Sequence, residues 1–295
     1  MSIGNAGCFT LGDRAVSRMG YGAMQLAGPG VFGPPRDHDE AIAVLKRAVE
    51  LGVNHIDTSQ FYGPNVSNEL IREALHPYAD DLVLVSKIGA RRDEQGNWLP
   101  DQHPDALKAA VRENLDTLGV ERLPVVNLRV MPKDEMSDPG TEYCPLDDQL
   151  AAMQELVDDG LLEHFGVSNV TRDEAARGID AGAVCVQNPY SLLARDDEAT
   201  LTLCAERGVA YVPFFPLGSA FPGMPKVAEN ETVKAIAEER GITPSQVGLA
   251  WLLGRSENVL LIPGTSSVAH LEENCGAGDV TLEPGDIDAL NAIGA

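Results

Sequence analysis

The stretch HIDTSQFYGPN, residues 55–65, sets Asp57 and Tyr62 five positions apart, where an apolar run gives way to turn residues. A second apolar run, VLVSKIG, delivers Lys87 near its end. An acid, a phenol and an amine are the parts of a proton relay. Free tyrosine, with a pKa of about 10, is a poor acid at neutral pH, but a cation beside it favours the phenolate and lowers that value. If Lys87, held by Asp57, is that cation, Tyr62 can give its proton to a carbonyl oxygen as hydride reaches the carbon. Each residue taken singly has a plainer use: Asp57 as a turn cap, Lys87 as a solvated strand end, Tyr62 as a loop aromatic. Their joint placement at the ends of neighbouring apolar runs favours chemistry without fixing the reaction.

Such residues need a frame. Eight short apolar runs read as strands: Met19 to Tyr21, Val53 to Ile56, Leu82 to Ser86, Val125 to Leu128, Phe165 to Val167, Val184 to Val186, Ala210 to Val212 and Val259 to Ile262. Amphipathic stretches separate them, from Asp39 to Leu51, Asn68 to Leu75, Pro104 to Leu118, Leu146 to Asp159, Arg172 to Ala181, Asp197 to Arg207, Glu231 to Arg240 and Pro244 to Arg255. Thr243-Pro244 reads as an N-cap followed by proline at the first helical position, and Gly52, Gly119, Gly160 and Gly208 fall where left-handed C-caps belong. Alternating strands and helices imply βα units with a parallel sheet, and eight is the number a closed barrel needs. The opening CFTLGDRAVSRMGYG breaks at Gly12-Asp13 and reads as a β-hairpin ahead of the barrel. The expectation is an α/β fold, a (β/α)8 TIM barrel with an N-terminal β-hairpin, forming a single domain over residues 1–295. In such a barrel the active site lies at the C-terminal ends of the strands, which puts Asp57 and Lys87 on one rim with Tyr62 in the loop above.

Composition narrows the partners. The 295 residues hold 22 basic and 45 acidic side chains, a net charge of -23, which repels nucleic acid and anionic membrane surfaces. The five cysteines lack CxxC spacing and read as reduced, structural thiols of a cytoplasmic protein. No apolar run reaches membrane-spanning length, and no leader pattern opens the chain. The six histidines are scattered without helical zinc-site spacing, so no metal is expected.

Taken together, GYGAM (20–24), GVNHIDTSQFYG (52–63), VSKIG (85–89), LGVER (118–122), HFGVSN (164–169), VQNPYS (186–191), PFFPLGS (213–219) and IPGTSSVAHLEEN (262–274) resemble the aldo-keto reductase family nearly end to end. The resemblance implies a barrel that binds NADPH, with Asp57, Tyr62 and Lys87 matching three members of the family's catalytic tetrad. The family's fourth member is usually a histidine, and an ungapped count from Leu118-Gly119 puts Arg129 there. A guanidinium is always charged and offers a planar fork of donors, so Arg129 could polarise the carbonyl, lower the Tyr62 pKa or grip an anionic substrate oxygen. Its plainer reading is an ion pair with a rim carboxylate. Strand alternation places Asn127 one layer below it, facing inward.

No GxGxxG follows a strand in a Rossmann setting, so barrel loops must hold the cofactor. By the resemblance, Gly22, Ala23 and Met24 approach it. Ser168, Asn169 and Gln187 hold the nicotinamide carboxamide, Phe214 or Phe215 stacks on the ring, and Pro216, Leu217, Gly218 and Ser219 form the pyrophosphate loop. Gly264, Thr265 and Ser266 approach the adenosine 2′-phosphate at a helix start, where backbone N–H groups favour an anion. Glu273 and Asn274 lie near the adenine. Gly264 and His270 stand where the family often has Lys and Arg, which weakens the case for strict NADPH use.

Substrate choice falls to the loops. The segment QLAGPGVFGPPRD (25–37), carrying Phe32, together with NHIDTSQFYGPNVSN, SKIGARR and NLRVM, looks like the subgroup of the family that reduces pyridoxal to pyridoxine. Pyridoxal has a readily ionised 3-hydroxyl beside its aldehyde, which Arg129 could pair with. Trp98 would supply an aromatic wall or cover the barrel edge. The competing expectations are a reductase of general aldehydes or sugar-derived carbonyls, and an NADPH-sensing regulatory subunit with little turnover. The protein is expected to be a monomer or weak homo-oligomer.

Overall fold

A computed structural model of the chain describes residues 3–131, 143–218 and 225–293. It opens with an antiparallel hairpin, β1 (Cys8–Leu11) and β2 (Arg14–Ser17), turning at Gly12-Asp13 as expected. Leu11 and Val16 are buried against Val83, Val85, Val125 and Leu260. Arg14 pairs with Glu163 at 2.7 Å and the Ser17 N–H donates to Asn54 Oδ1 at 2.8 Å, both close to strand starts. The hairpin therefore plugs the lower end of a barrel whose interior is filled by branched side chains.

The barrel wall is built from β3 (Tyr21–Gly22), β4 (His55–Asp57), β5 (Val83–Ile88), β8 (Leu123–Arg129), β9 (Leu162–Ser168), β10 (Cys185–Gln187) and β11 (Ala210–Tyr211), all parallel and hydrogen-bonded in chain order. Between β5 and β8 sits an extra antiparallel hairpin, β6 (Ala90–Arg92) and β7 (Trp98–Pro100). The eighth expected strand, Val259 to Ile262, forms no regular ladder. It makes single parallel bridges, Tyr211↔Val259 on one side and Met19↔Leu261 on the other, and these close the ring. Leu260 N donates to Tyr211 O at 2.9 Å and Leu261 N to Arg18 O at 2.8 Å. Pro263 has no N–H to extend the pairing. Gly22 is required where the ring shuts, because a Cβ there would lie 2.5 Å from Ile262 O.

Around the wall run α1 (His38–Glu50), α2 (Val66–Leu75), α3 (Pro104–Leu118), α4 (Leu146–Asp158), α5 (Arg172–Asp180), α6 (Glu198–Arg207), α7 (Glu231–Arg240), α8 (Pro244–Leu253), α9 (Val268–Cys275) and α10 (Pro284–Asn291). Thr243 and Gln246 form the capping box that starts α8, and Gly119 and Gly208 end α3 and α6 in the left-handed conformation. Helix α2 starts two residues earlier than expected because Asn65, at φ 64°, turns the chain into it. Val44, Leu45, Leu107, Val111, Leu156 and Leu252 seal the helices against the strands, each burial stabilising by about 1.5–3 kcal/mol. This is the (β/α)8 barrel with an N-terminal hairpin.

Candidate active site

The register of the parallel strands gathers the candidate residues. Asp57 lies opposite Val85, which points into the barrel, so Lys87 two residues on shares its face. Lys87 pairs across to Asn127, Arg129 to Ser168, and Ser168 to Gln187. Each strand thus ends by turning a polar side chain inward at the C-terminal rim.

Lys87 Nζ forms an ion pair with Asp57 Oδ1 and donates to Thr58 O at 3.0 Å. The other Asp57 oxygen accepts from Gln187 Nε2 at 2.8 Å. Both charged side chains are almost fully buried, which is tolerable only because each is paired and hydrogen-bonded. Burial works against the Lys87 ammonium, but Asp57 and the Tyr62 hydroxyl beside it outweigh that and hold its pKa above the ordinary lysine value. The ammonium lies 5.1 Å from the centre of the Tyr62 ring.

Tyr62 departs from expectation. Its pKa is raised above the phenol value, because burial dominates; Lys87 and Arg129 pull it down, and Asp57 adds to the rise. The sequence exposes the cations but not the desolvation. The phenol therefore keeps its proton at neutral pH.

Beneath Tyr62 the loop is anchored by a buried amide. Asn114 of α3 donates to Gln60 Oε1 and Ala110 O, each at 2.9 Å, and accepts from Asn68 Nδ2 at 2.9 Å and Ser86 Oγ at 2.5 Å. All four bonds an amide makes readily are filled. One side chain ties the loop before Tyr62 to the strand residue before Lys87.

Above these groups opens a cavity of about 430 Å³, within the ~300–1,000 Å³ usual for small-molecule sites. Asp57, Tyr62, Lys87, Arg129 and Gln187 form its polar floor, and Met24, Phe61, Trp98, Phe214, Phe215 and Leu217 its apolar walls. Phe61 stands edge-on to both Tyr62 and Trp98, with ring centres 5.4 Å apart in each case. The Arg129 guanidinium lies 5.5 Å from the centre of the Phe214 ring. Gly22, Pro216, Gly218 and Gly264 complete the expected part of the wall. Gln25, Phe61, Ile262 and Pro263 line it too and were not singled out from the sequence. Phe61 gave a usable signal, since a neighbour of Tyr62 on so tight a loop must face the same mouth.

Other candidates sit off the wall. Asn127 is fully buried one layer down, where its Oδ1 accepts from Cys185 Sγ, and Phe32 turns its ring to Arg92 rather than to the cavity. Ala23 is buried beneath the mouth. Thr265 and Asn274 are buried at α9, while Ser266, His270 and Glu273 are exposed along its start and first turns. Ser219 lies outside the described residues. Asn169, at φ 59°, gives its amide to Val130 O at 2.9 Å. Ser168 Oγ and Gln187 Oε1, side by side in register, are buried with no hydrogen-bond partner. Gln187 lines the cavity and Ser168 is its neighbour in register; the orphaned hydroxyl and carbonyl together fit a ligand carboxamide, which carries a donor and an acceptor.

The aldo/keto reductase family model matches residues 18–295. The chain is 52% identical over 286 residues to the pyridoxine 4-dehydrogenase of Escherichia coli strain K12, covering 97% of each protein. It is 37% identical over 279 residues to an uncharacterized oxidoreductase of Schizosaccharomyces pombe, covering 94% of this chain and 86% of that one. Among solved structures, a thermostable aldo-keto reductase crystallised with the inhibitor epalrestat superposes with a TM-score of 0.81 at 28% identity, over 97% of this chain and 99% of that one. With its barrel, its rim of inward polar residues and this extent of match, the chain belongs to the aldo/keto reductase family.

Proposed function

We propose that the protein is an NADPH-dependent reductase that converts the aldehyde of pyridoxal to the alcohol of pyridoxine. The observation that carries the reductase reading is the buried Asp57–Lys87 pair set against a Tyr62 that retains its proton in a cavity walled by aromatic rings. The substrate comes from the Escherichia coli relative at 52% identity.

NADPH, when bound, supplies the hydride. The orphaned Ser168 Oγ and Gln187 Oε1 would hold its carboxamide together with Asn169, and Phe214 or Phe215 would cover the ring. Tyr62 then donates its proton to the carbonyl oxygen, and Lys87 stabilises the phenolate left behind. Asp57 keeps Lys87 charged and aimed, while Gln187 braces the second Asp57 oxygen. Arg129 pairs with the ionised 3-oxygen of pyridoxal. Gly264, Thr265, Ser266 and His270 would face the 2′-phosphate, with Glu273 and Asn274 nearer the adenine.

The same proposal includes one catalytic domain over all 295 residues, a cytoplasmic setting, and a monomer or weak homo-oligomer that binds neither nucleic acid nor membrane. The net charge of -23 and five free cysteines support it. Among the described residues no helix is long and apolar enough to cross a membrane.

The test is NADPH oxidation with pyridoxal beside NADH and a panel of aromatic and sugar aldehydes. Pyridoxal should lead by an order of magnitude or more in kcat/KM, about 1.4 kcal/mol of transition-state binding. Tyr62→Phe should abolish turnover and leave the NADPH Kd unchanged. Arg129→Met should raise KM for pyridoxal while sparing aldehydes without an anionic oxygen. Equal rates across the panel would overturn the substrate, and tight NADPH binding without turnover would overturn the enzyme.

A further inference from the structure

The hairpin β6–β7 carries Trp98 to the cavity wall, and one side chain behind it organises the whole mouth. The Arg92 guanidinium lies 4.1 Å from the centre of the Trp98 ring and 5.3 Å from that of Phe32. Its donors are spent on backbone carbonyls. Nε and Nη2 reach Gly96 O at 3.1 and 2.7 Å within the hairpin, Nη1 reaches Val31 O at 2.9 Å, and Nη2 reaches Gly30 O at 3.1 Å in the first loop. Two loops 61 to 62 residues apart in sequence are thus pinned by one planar group.

A second observation points the same way. Val31 is β-branched yet sits at φ 60°, a conformation that costs on the order of 1–3 kcal/mol and persists only where its surroundings impose it. Its carbonyl is held from two sides, by Arg92 Nη1 and by the N–H of Gly63, the residue after Tyr62. The strained turn, the loop bearing Tyr62 and the hairpin bearing Trp98 therefore share one clamp. From Trp98 the contact continues edge-on through Phe61 to Tyr62.

We infer that Arg92 is a specificity-determining positioning residue: it touches no substrate, but it fixes the Trp98 indole as the wall against which a planar aromatic aldehyde lies while Tyr62 faces the carbonyl. Only a guanidinium can stack between two rings and fork to three carbonyls at once; an ammonium is a point charge with no flat face. The inference rests on the aldehyde-reductase reading above, though not on pyridoxal itself.

The test is a double-mutant cycle of Arg92→Met and Trp98→Ala, with kcat and KM measured for pyridoxal, benzaldehyde and a small aliphatic aldehyde, and the NADPH Kd measured by fluorescence. Arg92→Met should raise KM for both aromatic aldehydes about tenfold, leave the aliphatic kcat/KM and the NADPH Kd within about twofold, and add nothing to the effect of Trp98→Ala, because coupled residues are not additive. Arg92→Lys, which keeps the charge but loses the fork and the stacking plane, should show the same selectivity loss and serves if Arg92→Met does not fold. A uniform fall across aromatic and aliphatic aldehydes, additive effects, or an unchanged aromatic KM would overturn it. Failure of the pyridoxal reading would show differently, as a wild-type enzyme that takes benzaldehyde as well as pyridoxal while the Arg92 variants still lose their aromatic preference.

Discussion

At the lower end of the barrel Leu11 and Val16 meet Val83, Val125 and Leu260 in a layer with no charge, while at the upper end Asp57, Lys87 and Gln187 are buried to almost the same degree. The lower layer is what packing alone selects. The upper one is not, since replacing a buried ion pair by well-packed apolar residues is often neutral or stabilising by about 1–4 kcal/mol. Charge kept at that cost at the C-terminal rim supports the catalytic role proposed for these residues. Trp98 and Trp251 repeat the contrast. Both lie against arginines, but Trp251 stacks between helices with Arg195 and Arg255 and hydrogen-bonds Asn291, whereas Trp98 faces the cavity.

The largest expected difference between the ends comes from Lys87→Met, which strands the buried Asp57. Turnover should fall by about 10²–10⁴ with loss of proton-transfer support, and stability by about 3–5 kcal/mol. Adding Asp57→Asn should restore much of the stability in urea melts and none of the kcat; recovery of both would erase the distinction. Next is Leu11→Ala in the plug, expected to cost about 2–4 kcal/mol while kcat at 25 °C holds. A kcat that fell with it would join the two ends into one unit. The smallest effect concerns acid. His55, buried at the start of β4, has its pKa pushed down to about 4 by burial. The unfolded chain binds that proton near pH 6.5 and the folded one only near 4, so stability falls as pH drops across that window and by about 2 kcal/mol between pH 7 and 5. Urea midpoints at those two pH values should differ less in His55→Gln than in the wild type.

The placement of Asp57 and Lys87 at the rim was legible because strand ends are local features: an apolar run gives way there to a polar residue. Helices announced themselves through Thr243-Pro244 and their terminal glycines for the same reason. What stayed hidden depends on neighbours distant in the chain. The closing segment Val259 to Ile262 is apolar enough for a strand, but it is joined to its neighbours only through single bridges, to Tyr211 on one side and Met19 on the other. The β6–β7 hairpin left a trace in DEQGN, where Asp93 Oδ1 accepts from Gln95 N and Asn97 N and Gly96 turns at φ 80°. Its strands, ARR and WLP, are three residues each, too short for an alternation to name them. The direction of the Tyr62 shift was out of reach, since desolvation is a property of the assembled site.

The Asn114 amide has a consequence for how this enzyme can change over time. With strand β5 and helix α2 donating to its oxygen and the Tyr62 loop accepting from its nitrogen, the amide admits one orientation, and neither Asp nor Leu reproduces both ends. An outer helix is ordinarily free to drift as surface sequence diverges. Here a slide of α3 would pull on Gln60 and Ser86, and with them on the spacing of Tyr62 and Lys87, so a substitution on the outside of the barrel can reach the rim through one amide.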